Sequence, residues 1–509
     1  MSRVKYAAKN IAMGYVSTIA TALLNFILRT IFIRMLGDAL NGVSSLYTDV
    51  LSMLSLAELG IGTALNFSLY GPVARGETEH IKSYMRVYKW AYRIIALVIA
   101  VIGLALTPFL QYLIKDPGVL TIGELRLYYL IFLFNTVSTY FVAYKYSLVN
   151  AEQKNYIQTN INMISKVITI ILQIIGLLIF KNFLIYLLTA AFVELAQKIF
   201  ASIYLNRLYP FLKDKDAKPL PKEESAEIVR KTKALVLHKV GDTARLQTDS
   251  LIISSMIGVV VSGIVSNYTL VMSTVSNFVN VIFNSVISSF GNLIATEDKD
   301  KQFSVFKVYR FFAVWVYGFA AIGFYALLSP LVCLWLGEDH VLAALAVNLI
   351  LVDYFFKGER IVLSNFKTAA GVFEQDRYLA LIQGAVNLIV SILMVKLIGL
   401  PGVYVGTVIS GLIANITKPI IIYKVCFDMK SGSYFKDSFK YILVMVLMVA
   451  LVTPVKYIVT SDLHIWTFLL GTIVITVLFN GIFLLLFHKS AECRYVTDMV
   501  KRKLLNRRK

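Results

Sequence analysis

Apolar residues run along this chain in blocks of about 20 or more, each long enough to cross a hydrocarbon core of roughly 30 Å as a helix. The blocks fall near 10–36, 43–69, 90–113, 124–148, 157–180, 184–206, 234–258, 263–292, 308–334, 342–366, 377–397, 401–424, 438–458 and 464–487. They predict an all-α polytopic membrane protein of about 14 transmembrane helices. The pattern also repeats, at an offset of about 221 positions. Gly42, Tyr47 and Thr48 answer to Gly263, Tyr268 and Thr269, and Ser83, Arg86, Val87, Tyr88 and Lys89 to Ser304, Lys307, Val308, Tyr309 and Arg310. Thr107-Pro108-Phe109-Leu110 returns as Ser329-Pro330-Leu331-Val332, and Glu152, Gln153 and Tyr156 as Glu374, Gln375 and Tyr378.

The repeat divides the chain into an N-terminal six-helix lobe (1–206), a linker (207–233), a C-terminal six-helix lobe (234–424), two extra helices (425–487) and a basic tail (488–509). With an even number of spans per lobe, both copies enter the membrane from the same side, which makes this a parallel repeat. Two similar bundles are what alternating access around a shared site requires, so a transporter is the first expectation.

Composition agrees with a membrane protein: 58% of the 509 residues are hydrophobic and only 16% charged. The 50 Lys and Arg against 30 Asp and Glu give a net charge of +20, but most of the basic residues fall in segments such as Arg75–Arg93, Lys213–Lys233 and Lys501–Lys509. The opposite loops, Gly37–Gly42 and Leu336–Val341, carry none. This asymmetry places both termini in the cytoplasm. It also removes the net charge as a reason to expect nucleic acid, which needs a basic face on a soluble module. The first apolar block is interrupted by Arg29 and Arg34 and lacks a cleavage pattern, so it reads as a span and not as a signal peptide.

The informative charges lie inside the spans, where each costs about 2.5–3.5 kcal/mol at a helix centre unless a cavity or partner receives it. Thr18, Thr21, Asn25 and Arg29 share one face of the first span. Glu58 sits near the middle of the second. Glu194 and Lys198 are four apart on the sixth, and Asp242, Arg245 and Asp249 form a stripe on the seventh. Ser273, Asn277, Asn280, Asn284 and Ser288 line one face of the eighth. Asp353, Lys357, Arg360, Ser364 and Lys367 line one face of the tenth. Asp242–Arg245 and Asp353–Lys357 read equally well as neutralised pairs holding helices in register, and the Asn/Ser stripe as helix packing. Arg29 and Lys166 lack an acid on their own helices. Arg29, Lys166, Arg245, Lys357 and Arg360 are therefore the candidate cationic lining, suited to an anionic head-group. Asn25, Asn277, Asn280 and Asn284 are the polar lining. Glu58, Asp249 and Asp353 are candidates for H+ or Na+ coupling.

No catalytic or metal-binding residues are expected. Cys333, Cys426 and Cys493 have no metal or redox spacing, and no Walker loop, paired-His helix or Gly-x-Ser-x-Gly elbow occurs. External loops are too short to hold a glycan-polymerising or glycosyl-transferring domain. The chain is expected to be a transporter without a cofactor, not an enzyme.

Asn25–Gly37 (NFILRTIFIRMLG) precedes Leu46–Ala74 (LYTDVLSMLSLAELGIGTALNFSLYGPVA). With Thr248–Gly258 (TDSLIISSMIG) and Ser266–Leu270 (SNYTL), these stretches resemble the Wzx-type polysaccharide flippases of the multidrug/oligosaccharidyl-lipid/polysaccharide exporter superfamily. The likeness extends over essentially the whole chain. It implies a MATE-like fold and the movement of undecaprenyl-pyrophosphate-linked repeat units from the inner to the outer leaflet of the plasma membrane, for capsule or exopolysaccharide. It also implies cationic cavity residues, Arg29 among them, and work beside a polysaccharide polymerase and glycosyltransferases. Three rivals remain open: an exporter of teichoic-acid or another lipid-linked wall precursor, a multidrug or metabolite:cation antiporter of the same superfamily, and a non-transporting scaffold.

Overall fold

The computed structural model describes residues 3–55, 68–117, 120–214, 219–221, 223–224, 226, 247–284, 286–372, 375–376 and 378–505. Among these, all regular structure is helical, and 11 helical stretches are long and apolar enough to cross a membrane. The protein is an all-α polytopic membrane protein. Its contacts divide it into two units, Met1–Ser266 and Asn267–Lys509, each described here by itself.

The first unit holds α1 (Arg3–Leu54), α2 (Thr78–Leu106), α3 (Ile122–Ala151), α4 (Tyr156–Phe180) and α5 (Phe183–Leu208), and the first turns of α6 (Val259–Asn284). A straight helix of 52 residues would be about 78 Å long, more than twice a hydrocarbon core. α1 is instead two helices that meet at Gly37, where φ 81 and ψ 175 interrupt the spiral. The sequence predicts a six-residue loop there. The helix in fact resumes at once, because glycine alone can take the turn within one residue. Elsewhere local chemistry sets the ends. Thr121 and Glu124 form a reciprocal capping box at the start of α3. Left-handed Lys181 (φ 47) closes α4, and Asn182 Oδ1 accepts from the Leu184 amide at 2.8 Å to open α5, so two residues suffice to reverse the chain.

The second unit contains the rest of α6, then α7 (Ile287–Thr296), α8 (Lys299–Leu336), α9 (Ala344–Glu359), α10 (Ile361–Ala370), α11 (Leu379–Ile398), α12 (Leu400–Phe427), α13 (Gly432–Ser461), α14 (Ile465–Phe487) and α15 (Ala491–Leu505). Lipid tails are as apolar as leucine, so membrane helices are drawn together by close packing and polar contacts. α11 and α12 show both. Gly402 and Gly406 lie one turn apart against α11, where a Cβ on either would overlap the Met394 carbonyl or Ser391 Oγ. The same approach lets Ser391 Oγ donate to the Val403 carbonyl at 2.9 Å and Gln383 Nε2 to that of Ser410 at 2.7 Å.

The expected tenth span is corrected by the structure. It breaks at Arg360 (φ −93, ψ 2) into α9 and α10, so Asp353, Lys357, Arg360, Ser364 and Lys367 do not continue along one helical face. The expected seventh span lies mostly outside the described residues; its last turns form a π-turn, Ile253–Ile257, ended by Gly258 at φ 153.

Candidate functional site

Arg29 is half-buried on α1, inside a stretch long and apolar enough to span a membrane. Twelve residues further on, Asn41 would stand about 18 Å away along a straight helix. The bend at Gly37 brings it into contact: Arg29 Nη1 donates to Asn41 Oδ1 and to Ser266 Oγ at 2.8 Å. Asn41 Nδ2 in turn donates to Ser266 Oγ at 2.9 Å and to the Gly263 carbonyl at 2.9 Å. Asp38 and Tyr186 lie close enough to act on the guanidinium electrostatically.

This cluster is made possible by two glycines. A Cβ on Gly42 would run into the Val259 carbonyl, and one on Gly263 into that of Asp38. Gly42 and Gly263 are equivalent positions of the repeat, so the two copies of one sequence motif meet on each other, within the first unit. Neutral amide and hydroxyl groups hold the guanidinium's Nη1 edge. With Asp38 close by, they fix the orientation of the fork, which is what recognition of a phosphate or carboxylate needs.

The other predicted cationic residues have different surroundings. Lys166 is exposed on α4, with Glu194 as its electrostatic neighbour. Lys198, which faces inward, donates to Ser138 Oγ and the Asn135 carbonyl, both at 2.8 Å, and stands 3.8 Å from Glu194. In the second unit Lys357 is paired with Asp353 at 2.5 Å. Arg360 is buried and donates to the Gly411 carbonyl at 2.9 Å and to Asn415 Oδ1, pinning the α9–α10 break onto α12. Lys367 pairs with Asp376.

Of the polar lining, Asn25 is half-buried, Asn277 and Asn284 are exposed, and Asn280 accepts from Tyr317 Oη at 2.7 Å. Asp249 is half-buried just before the π-turn. Glu58, Asp242 and Arg245 lie outside the described residues.

Two features escape the sequence reading. Arg310 is 2% exposed and Glu359 4%. Arg310 Nη2 donates to Glu359 Oε1 at 2.7 Å, Ser438 Oγ at 2.6 Å and the Tyr434 carbonyl at 3.1 Å. Its guanidinium lies 3.5 Å from the centre of the Tyr434 ring. No periodicity links these residues, because they come from α8, α9 and α13. The second feature is a basic cleft of about 440 Å³ where α2, α3 and the segment after α5 meet; its lining includes Lys82, Arg86, Lys89, Arg93, Lys145 and Lys213. The sequence shows these charges but reads them only as orientation signals.

The chain is similar in fold to several membrane transporters. A lipid II flippase, MurJ, in an inward closed conformation matches with a TM-score of 0.66 at 15% identity, over 93% of this chain and 99% of that one. The Vibrio cholerae MATE transporter VcmN, in a mutant form, matches with a TM-score of 0.57 at 16% identity, over 84% and 99%. An inward-facing multidrug resistance MATE transporter of the MOP superfamily matches with a TM-score of 0.59 at 16% identity, over 78% and 92%. No curated protein matches in sequence. A family model described as polysaccharide biosynthesis protein matches residues 7–288, more than half of the chain. The α1 bend, the Arg29 cluster and the Gly42–Gly263 crossing all lie within that match, and the chain belongs to the polysaccharide biosynthesis protein family, on a MATE-like fold.

Proposed function

We propose that this protein carries lipid-linked oligosaccharide precursors across the plasma membrane, from the cytoplasmic to the outer leaflet, by alternating access. The lysine and arginine distribution supports cytoplasmic termini. Undecaprenyl-diphosphate-linked repeat units destined for a capsule or exopolysaccharide are the cargo that fits the family description best. Glycosyltransferases would work before it and a polymerase after it.

The observation that carries this reading is Arg29: a guanidinium on a membrane helix, oriented by Asn41 and Ser266. A sugar diphosphate cannot enter hydrocarbon, because its polar groups would lose water without replacement. A lined polar path replaces those hydrogen bonds while the polyprenyl tail stays in lipid. The protein makes and breaks no covalent bond; it lowers a solvation barrier. Arg29 would hold the diphosphate, while Arg360, committed to the Gly411 carbonyl and Asn415, would brace the α9–α10 break and not line the path. Asp249 and Asp353, together with Glu58, would couple the cycle to H+ or Na+. Paired with Lys357, Asp353 would release that lysine to an arriving anion when it binds a cation.

The decisive experiment is to deplete the protein and identify the lipid-linked sugar that accumulates on the inner leaflet, then to measure its flipping in proteoliposomes. Removing a charged hydrogen-bonding partner costs about 1.5–3 kcal/mol, so R29Q should slow flipping by roughly 10- to 100-fold, with R29K intermediate. In the same vesicles D353N should abolish acceleration by an imposed ion gradient. Unchanged flipping in R29Q at normal protein level would overturn the assignment, and drug efflux without lipid-linked sugar accumulation would favour an antiporter.

A further inference from the structure

We propose a second ligand site, in the basic cleft of the first unit, which holds the phosphate of an anionic glycerophospholipid from the adjoining leaflet. Lys82, Arg86, Lys89 and Arg93 follow each other by four, three and four residues and share one face of α2. Lys145 on α3 and Lys213 after α5 complete the basic lining. At about 440 Å³ the cleft lies within the range of small-ligand sites, roughly 300–1,000 Å³.

Charge is unevenly spread along it. Among the described residues the acid in the lining is Asp214, which sits 2.8 Å from Lys82; Lys82 also meets Glu79 at 2.8 Å. The cationic surplus lies at the other end, with Lys89, Arg93 and Lys145. Lys145 is only 5% exposed, and its Nζ donates to Ser202 Oγ at 2.7 Å and Asn206 Oδ1 at 2.9 Å. Those oxygens are neutral: they orient the ammonium and leave its charge to be met from the cleft. A buried charge without a counter-charge is costly, and a phosphate oxygen in the cleft supplies one.

Two observations choose a lipid over a free ion. Trp90 lines the cleft and is 58% exposed, the posture of an indole at a membrane interface. Ile94, Leu97 and Val101 continue the same stripe of α2 and are also exposed, giving an acyl chain an apolar track leading away from the phosphate. None of these residues serves the proposed transport path, so this site and that function can fail separately.

Trp90 is the reporter for the test. The full-length protein in zwitterionic detergent is titrated with phosphatidylglycerol or phosphatidylcholine brominated on the acyl chains, and tryptophan quenching is followed. Phosphatidylglycerol should quench at lower mole fraction, and the preference should vanish in W90F. Each basic side chain near a membrane surface contributes about 1 kcal/mol to anion binding, so K89Q/R93Q, both exposed, should shift the half-quenching fraction by about tenfold or more. Equal quenching by the two lipids, or an unshifted K89Q/R93Q, would overturn the proposal. So would full competition by millimolar inorganic phosphate, which would make this a free-anion site.

Discussion

Arg310 shows what a guanidinium in this chain requires once water is gone: a carboxylate, a hydroxyl, a carbonyl and a ring face, all from other helices. Removing one partner of such a pair leaves a buried charge unmatched, a loss of about 3–5 kcal/mol, whereas replacing both by apolar groups can be close to neutral. E359Q should therefore lower the thermal unfolding midpoint of the detergent-purified protein sharply, and R310M/E359M should recover most of it. A double variant no better than E359Q would mean that the pair acts mainly through packing. Arg29 is held elsewhere, in the first unit, where its Nη1 donates to the Asn41 amide oxygen and the Ser266 hydroxyl. The sequence makes Arg29 visible, since an arginine amid apolar residues stands out. It hides Asn41 and Ser266, since only the Gly37 bend and a contact across more than 200 positions bring them there. Arg310 and Glu359 pass unnoticed for the same reason: their pairing is tertiary, between helices that no periodicity links.

Helices here are specified by apolar length, and their breaks by single residues. Block length is enough to place most spans, because the hydrocarbon core imposes one dimension on all of them. It does not distinguish one tenth helix from two, as the break at Arg360 (φ −93, ψ 2) involves neither proline nor a positive φ. That break also undoes the predicted cationic stripe: Lys357 stays with Asp353, Arg360 turns to α12, and Lys367 turns to Asp376. At the α11–α12 contact the sequence does carry the signal, in the spacing Gly402, Gly406 and Ser410, which periodicity of hydrophobic residues does not read. G406V should test it. The new branches would enter space held by Ser391, and overpacking of this type costs about 1–3 kcal/mol. The variant should insert normally but melt earlier, with S391G in the same chain restoring part of the loss. An unchanged midpoint would show that α11 and α12 can slide apart without consequence.

The two copies of the repeat have diverged in the way they treat one pair of basic residues. Arg86 and Lys89 line an open cleft in the first unit. Of their equivalents in the second, Lys307 is half-exposed and stands 3.5 Å from Glu492 of α15, while Arg310 is enclosed by Glu359 and by Tyr434 and Ser438 of α13. The helices that lie outside the repeat thus complete the second unit. Sequence alone leaves them without a role, since an appended apolar helix looks the same whether it meets lipid, a partner or its own chain. Their contact with α8 runs along its length. Trp315 Nε1 donates to Asn480 Oδ1 at 2.9 Å and stacks on Phe483 with ring centres 5.4 Å apart, while Phe311 meets Phe483 and Phe487. Lipid could replace the aromatic contacts at small cost, because hydrocarbon solvates a phenyl ring well. It could not replace the hydrogen bonds to Arg310, which would be left facing acyl chains with its pairing half dismantled. A chain ending after Phe427 should therefore be lost to aggregation or proteolysis. S438V, which keeps every helix and removes one hydroxyl from the Arg310 cluster, should reproduce part of that instability in the full-length protein. A truncated chain that elutes as a single species and melts at the parent temperature would mean that α13 and α14 are accessories to the fold and not its completion.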